Sequence, residues 1–110
     1  MYLLKVDSNG AHQWSKSYGG GSGSQYCHNV IQAADGNFVM EGSYSNLMMM
    51  LKVNSATGAV IWSNTYGSSF GATPIPWSHS LVELPDQSLL AAAHLNCCGA
   101  TNVDLYMVRT

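Results

Sequence analysis

His28 and His79 stand 51 residues apart, and each is preceded two positions earlier by an aromatic residue, Tyr26 and Trp77. Two imidazoles can ligate a metal, but no carboxylate lies beside either in sequence and a third ligand would have to be recruited from elsewhere. They are therefore read as hydrogen-bonded residues near the start of a strand. The aromatic pair suits stacking on a sugar or packing beneath a loop. The three cysteines, Cys27, Cys97 and Cys98, lack the C-x-x-C or C-x-x-H spacing that tetrahedral zinc requires, so no structural metal is expected. A disulfide from Cys27 to Cys97 or Cys98, and three reduced thiols, both fit this odd set.

Asp7-Ser8-Asn9-Gly10 opens like a calcium loop. Ala11-His12-Gln13-Trp14 then follows where further oxygen ligands and a distal Glu are needed, so the segment reads as a hairpin turn. No serine sits in a Gly-x-Ser-x-Gly elbow, and Gly19-Gly20-Gly21-Ser22-Gly23 lacks the Lys and helix of a phosphate loop. No catalytic residue, metal or cofactor is expected.

The 110 residues carry 4 Lys+Arg and 6 Asp+Glu, a formal charge of −2, with 46% apolar residues and 9% charged. That apolar share excludes a disordered tail, and the absence of a basic excess argues against a nucleic-acid surface. Apolar runs such as 47–51 fall far short of the roughly 20 residues that a membrane-spanning helix needs. Met1 leads directly into Tyr2–Val6, which reads as a strand with no secretory signal before it.

What positions these residues is an internal repeat. Leu4 to Gly19 recurs as Leu51 to Gly67 with ten of sixteen aligned positions identical, once Ala56 is treated as an insertion. Val30 to Ser43 matches Leu81 to His94 in apolar pattern, and Leu105 to Arg109 repeats both Met48 to Lys52 and Met1 to Lys5. A period near fifty marks a repeat architecture. Each repeat reads as short apolar runs broken by turn residues: 30–34, 38–44, 47–53 and 60–66. These are four strands in an antiparallel meander. Met48-Met49-Met50-Leu51 and Leu89-Leu90-Ala91-Ala92-Ala93 are apolar at consecutive positions, which implies sheets covered on both faces.

The expected fold is all-β: four-stranded β-propeller blades, forming an incomplete propeller of about two and a quarter blades. Residues 1–19 supply strands c and d of a first blade, 29–67 a whole second blade, and 80–110 strands a, b and c of a third. Tyr2 to Lys5 and Tyr106 to Arg109 are both strand c. Such a chain is expected to be a segment of a longer array, or a protomer whose open edges are paired by neighbouring chains.

Leu-Lys-Val-Asp-Ser-Asn-Gly-x-x-x-Trp-Ser-Lys-x-Tyr-Gly-Gly, followed by Val-Ile-Gln-x-x-Asp-Gly-Asn-Phe, resembles the tandem propeller repeats of secreted and cell-surface proteins. The resemblance covers essentially the whole chain. It implies an extracellular or surface location and a structural, adhesive or scaffolding role, with no transferable catalytic residue. The third repeat departs from it, with Pro85-Asp86-Gln87 in place of the Asp-Gly turn. Thr57-Gly58-Ala59-Val60-Ile61-Trp62 also resembles the docking repeat of quinoprotein-type propellers, where the Trp locks neighbouring blades together. The first copy lacks that threonine, so the likeness is taken as shared blade mechanics and not as a sign of a quinone. Trp14, Trp62, Tyr18 and Tyr66 are assigned to blade packing, each indole burying area worth about 2–3 kcal/mol.

Insertions between repeats fall in turns: at Ala56, within 70–78 and within 96–103. The two larger ones lie on one end of the sheets, which makes that end the candidate binding face, presenting Tyr26, His28, Trp77, His79, His94 and Asn96. The expected function is a non-enzymatic structural module that associates with itself through open strand edges. A carbohydrate- or protein-binding propeller is the alternative, and an oxidoreductase propeller the third.

Overall fold

The computed structural model describes residues 1–20, 25–45, 47–67, 76–96 and 103–110, with the side chains of 76–79, 94–96 and 103–106 outside that description. Nine strands run through them: β1 (Tyr2–Val6), β2 (His12–Ser17), β3 (Gln25–Gln32), β4 (Phe38–Tyr44), β5 (Leu47–Val53), β6 (Val60–Tyr66), β7 (Pro76–Glu83), β8 (Leu89–Asn96) and β9 (Val103–Arg109). There is no helix among the described residues. The strands form three antiparallel sheets, β1-β2, β3-β4-β5-β6 and β7-β8-β9, each a meander in chain order.

Turn chemistry sets the hairpins. In the first sheet Asp7 Oδ1 accepts from the Asn9 and Ala11 amides at 2.8 and 2.9 Å, and Gly10 takes a φ of +83°. Asn54 Oδ1 accepts from the Ala56 and Thr57 amides at 3.0 Å, with Gly58 at +66°. Short Asx side chains satisfy the turn amides, and glycine supplies the left-handed residue. Between β7 and β8 the same turn forms without a glycine: Gln87 adopts a φ of +65° where its counterpart Gly36 has +81°. The Pro85-Asp86-Gln87 departure therefore changes the strain of the turn and not its geometry.

The consecutive apolar residues of β4 and β5 are explained by a middle sheet with a neighbour on each side. Val39, Met48 and Met50 pack with Ala33 against Leu81, Leu89, Ala91, Ala93 and Val108 of the third sheet. On the opposite face Met40, Leu51 and Val53 pack against Tyr18, with Met1, Leu3 and Trp14 of the first sheet alongside. Alternate residues of one strand thus bury against different partners, as the pleat requires. The first sheet turns Tyr2, Leu4 and Val6 outward, and the third exposes Val82 and Met107.

Two boundaries differ from the sequence reading. The sequence put the start of the second unit at 29 and of the third at 80, yet β3 begins at Gln25 and β7 at Pro76. Both strands continue through a bulge. Cys27 pairs with Gly42 and Asn29 with Glu41, leaving His28 as the extra residue; Ser78 pairs with Ala93 and Ser80 with Ala92, leaving His79. A bulge keeps the ladder going where the simple alternation of side chains breaks.

Candidate functional site

The strand-end face and the contacts between sheets both bring repeated residues together. At the strand ends, Tyr26 pairs with Ser43 across β3 and β4, and Trp77 pairs with His94 across β7 and β8. Asn96 pairs with Val103 at the same end of the third sheet. The Tyr26 ring is about half exposed and stacks beside His28, with centroids 6.3 Å apart and planes at 27°. The side chains of Trp77, His79, His94 and Asn96 lie outside the described residues, as do Cys97 and Cys98 altogether. Cys27 carries a free thiol. Desolvation and the nearby Glu41 carboxylate push that thiol above its ordinary value, which lowers the thiolate fraction and with it nucleophilicity. No cluster of three or more His, Cys, Asp and Glu suited to a metal occurs among the described residues.

Sequence reasoning missed Glu41. This carboxyl is fully buried, and Asn29 Nδ2 donates to its Oε2 at 3.2 Å. The signal was available: a single carboxylate inside a run otherwise suited to burial on both faces of the sheet.

Among the described residues, three hydrogen bonds donated by side chains cross from the first sheet to the second. Trp14 Nε1 donates to the Ser55 carbonyl at 3.1 Å, Lys5 Nζ donates to the same carbonyl at 2.8 Å, and the Tyr18 hydroxyl donates to the Gly58 carbonyl at 2.8 Å. Burial raises the Tyr18 phenol above its ordinary value, which keeps the hydroxyl protonated as a donor. The Lys5 ammonium also sits 5.9 Å from the Phe38 ring centroid. A turn between two strands of one sheet is thus gripped by an indole, a phenol and an ammonium of another. Gly58 is required there, since a Cβ would meet Trp14 Cε3 and the Tyr18 hydroxyl at 3.0 Å.

Comparison with protein-family models, curated proteins and solved structures finds no match to this chain.

The repeat counterparts of the gripping residues are differently placed. Lys52, Trp62 and Tyr66 line a cleft of about 330 Å³ between the second and third sheets, together with Asn64, Glu83, Gln87, Leu89 and Thr110. Lys52 Nζ pairs with Asp35 at 2.8 Å, and the hydrogen bonds from Lys52 and Asn37 hold the Asp35 carboxyl down at about 2. The same pairing recurs as Arg109 with Asp86, whose carboxyl is lowered chiefly by the Ser88 hydroxyl and amide. In both sheets a cation on the third strand of the meander closes onto the acidic turn joining the first two. Across the stack, the Ala34 amide donates to Glu83 Oε2 at 2.6 Å. Chemically the arrangement offers hydrogen-bond donors and aromatic surface for holding a chain turn.

Proposed function

We propose that this chain is a non-enzymatic structural module, a run of β-propeller blades that associates with further blades through its open strand edges. The carrying observation is the middle sheet, buried on both faces by its neighbours while the outer faces of the first and third sheets present Tyr2, Leu4, Val6, Val82 and Met107 to solvent. Such exposed faces favour a neighbouring sheet on either side, and the edges of the two- and three-stranded sheets offer an incoming strand a ladder to join. The likeness of its repeats to those of secreted and cell-surface proteins supports an extracellular place and a scaffolding or adhesive role. Sedimentation velocity over a wide concentration range, with electron microscopy, tests this: assemblies or fibres are expected, and a monomer at every concentration refutes it. The half-exposed Tyr26 ring favours one second reading, a glycan-binding face at the strand ends. A glycan array distinguishes the two, because a purely structural module gives no saturable sugar binding.

A further inference from the structure

Among the described residues, each half of the Trp14–Gly58 contact has a repeat counterpart that lacks its mate. Gly58 is buried against Trp14 and Tyr18, whereas Gly10, at the same point of the β1–β2 turn and also at positive φ, has open space around its Cβ position. Trp14 and Tyr18 are seated on a turn, whereas Trp62 and Tyr66 open onto the cleft beside Thr110. The faces follow the same rule. Leu51 and Val53 are buried against the first sheet at 1% and 0% exposure, while their counterparts Leu4 and Val6 stand 51% and 45% exposed.

We infer that the Trp62–Tyr66 cleft is the receptor for the β1–β2 turn, Asp7 to Gly10, of a second copy of this chain. The inference rests on the association reading above and names its contact. The donor hairpin becomes the outer half of the recipient's third sheet, with the donor's β1 replacing β9. The two strands carry the same pattern, Tyr2 to Lys5 against Tyr106 to Arg109. In that register the donor's Leu4 falls where Val108 now packs against the second sheet, and its Val6 falls at Thr110. The exchange buries Leu4 in place of Val108, which is released with β9, so its net gain lies in the turn seated on Trp62 and Tyr66. Lys52 stays paired with Asp35 and keeps ammonium protons to donate to the incoming turn, as Lys5 donates to Ser55.

The donor turn is one residue shorter than its template, but its closing bonds are the same. The Asp7 amide donates to Ala11 O at 2.9 Å and the Asn54 amide to Ala59 O at 2.8 Å; the Gly10 amide donates to Asp7 O and the Gly58 amide to Asn54 O. The extra residue is absorbed ahead of the glycine, so the glycine that meets the indole and phenol keeps its place. A contact between two different surfaces of one chain is head-to-tail and propagates into rings or filaments.

The test uses complementary variants of the full chain. Trp62→Ala disables the receptor, and Gly10→Val disables the turn, because a Cβ there strikes the partner's indole as one at Gly58 would strike Trp14. Each variant alone is expected to sediment as a monomer, and an equimolar mixture as a one-to-one dimer that grows no further. Tyr66→Phe, which removes only a hydroxyl, is expected to weaken association by about two- to twelvefold, the loss of one hydrogen bond. Association of wild type that persists unchanged in Gly10→Val and Tyr66→Phe overturns this contact and leaves the open-edge reading standing. A wild type monomeric at every concentration overturns both. Circular dichroism identifies any misfolded variant, and Tyr66→Phe then decides the matter by itself.

Discussion

Replacing Gly58 and, separately, Gly10 with alanine isolates the energy of one contact between sheets. Both positions lie in the left-handed region, at φ +66° and +83°, so each alanine costs about 1–2 kcal/mol of backbone strain. Only Gly58→Ala has a second cost. Its Cβ falls 3.0 Å from Trp14 Cε3 and Cζ3 and from the Tyr18 hydroxyl, while a Cβ at Gly10 meets none of the described residues within 4 Å. Either the rings retreat by a few tenths of an ångström, loosening the 2.8 Å bond from Tyr18 to the Gly58 carbonyl, or the turn does. Overpacking of that kind costs about 1–3 kcal/mol. The expected totals are about 2–5 kcal/mol for Gly58→Ala and about 1–2 kcal/mol for Gly10→Ala. Urea unfolding at low protein concentration, followed by circular dichroism and tryptophan fluorescence, measures both. Equal losses within about 0.5 kcal/mol, half the smallest overpacking cost, would refute the claim that Gly58 is a seat between sheets.

Met50→Ala removes a fully buried side chain facing the third sheet and is expected to cost about 2–5 kcal/mol in the same unfolding assay. Gln87→Gly relieves left-handed strain and should stabilise by about 0.5 kcal/mol, since the strain removed slightly exceeds the chain entropy that glycine adds. Gly42→Ala drives a Cβ into the Tyr26 carbonyl and is expected to unpair the start of β3, read as faster amide exchange at Tyr26 and Ser43. Asp35 is held at about 2 against an ordinary 3.8, so its contribution is complete above pH 4 and is lost as pH falls towards 2. Asp35→Asn should flatten stability against pH between 4 and 2 while leaving it unchanged in shape above that window.

The strands were legible because their boundaries are chemical. Asx and glycine mark the turns, and runs such as 47–51 are too short and too apolar for anything except a strand covered on both sides. What was not legible depends on pairing. That His28 and His79 fall 51 residues apart was visible in the sequence; that each is the extra residue of a bulge was not, because a bulge is a property of two strands in register. The ion pairs of Lys52 with Asp35 and Arg109 with Asp86 were hidden for the same reason, joining the third strand of a meander to the turn between its first two. The Trp14 acceptor is a backbone carbonyl, and any residue type supplies one. Gln87 gave no warning either: a turn already fixed by Asp86 and its neighbours forces the left-handed conformation on whatever side chain stands there.

The identities between the two copies of the repeat carry information of a particular kind. Hydrogen bonds within a sheet use backbone groups and place little demand on residue type, whereas contact between sheets depends on side-chain size and on the room a glycine leaves. Several residues identical in both copies do touch a neighbouring sheet. In the second sheet Leu51, Val53 and Gly58 do so, and in the first Lys5, Trp14 and Tyr18 do so. Among the positions that differ, His12 against Val60 and Gln13 against Ile61 are exposed in both copies. Leu4, Val6 and Gly10 in one sheet, and Trp62 and Tyr66 in the other, carry the same identities at the outer face and at the cleft. Their types match those that meet a neighbouring sheet at Leu51, Val53, Gly58, Trp14 and Tyr18.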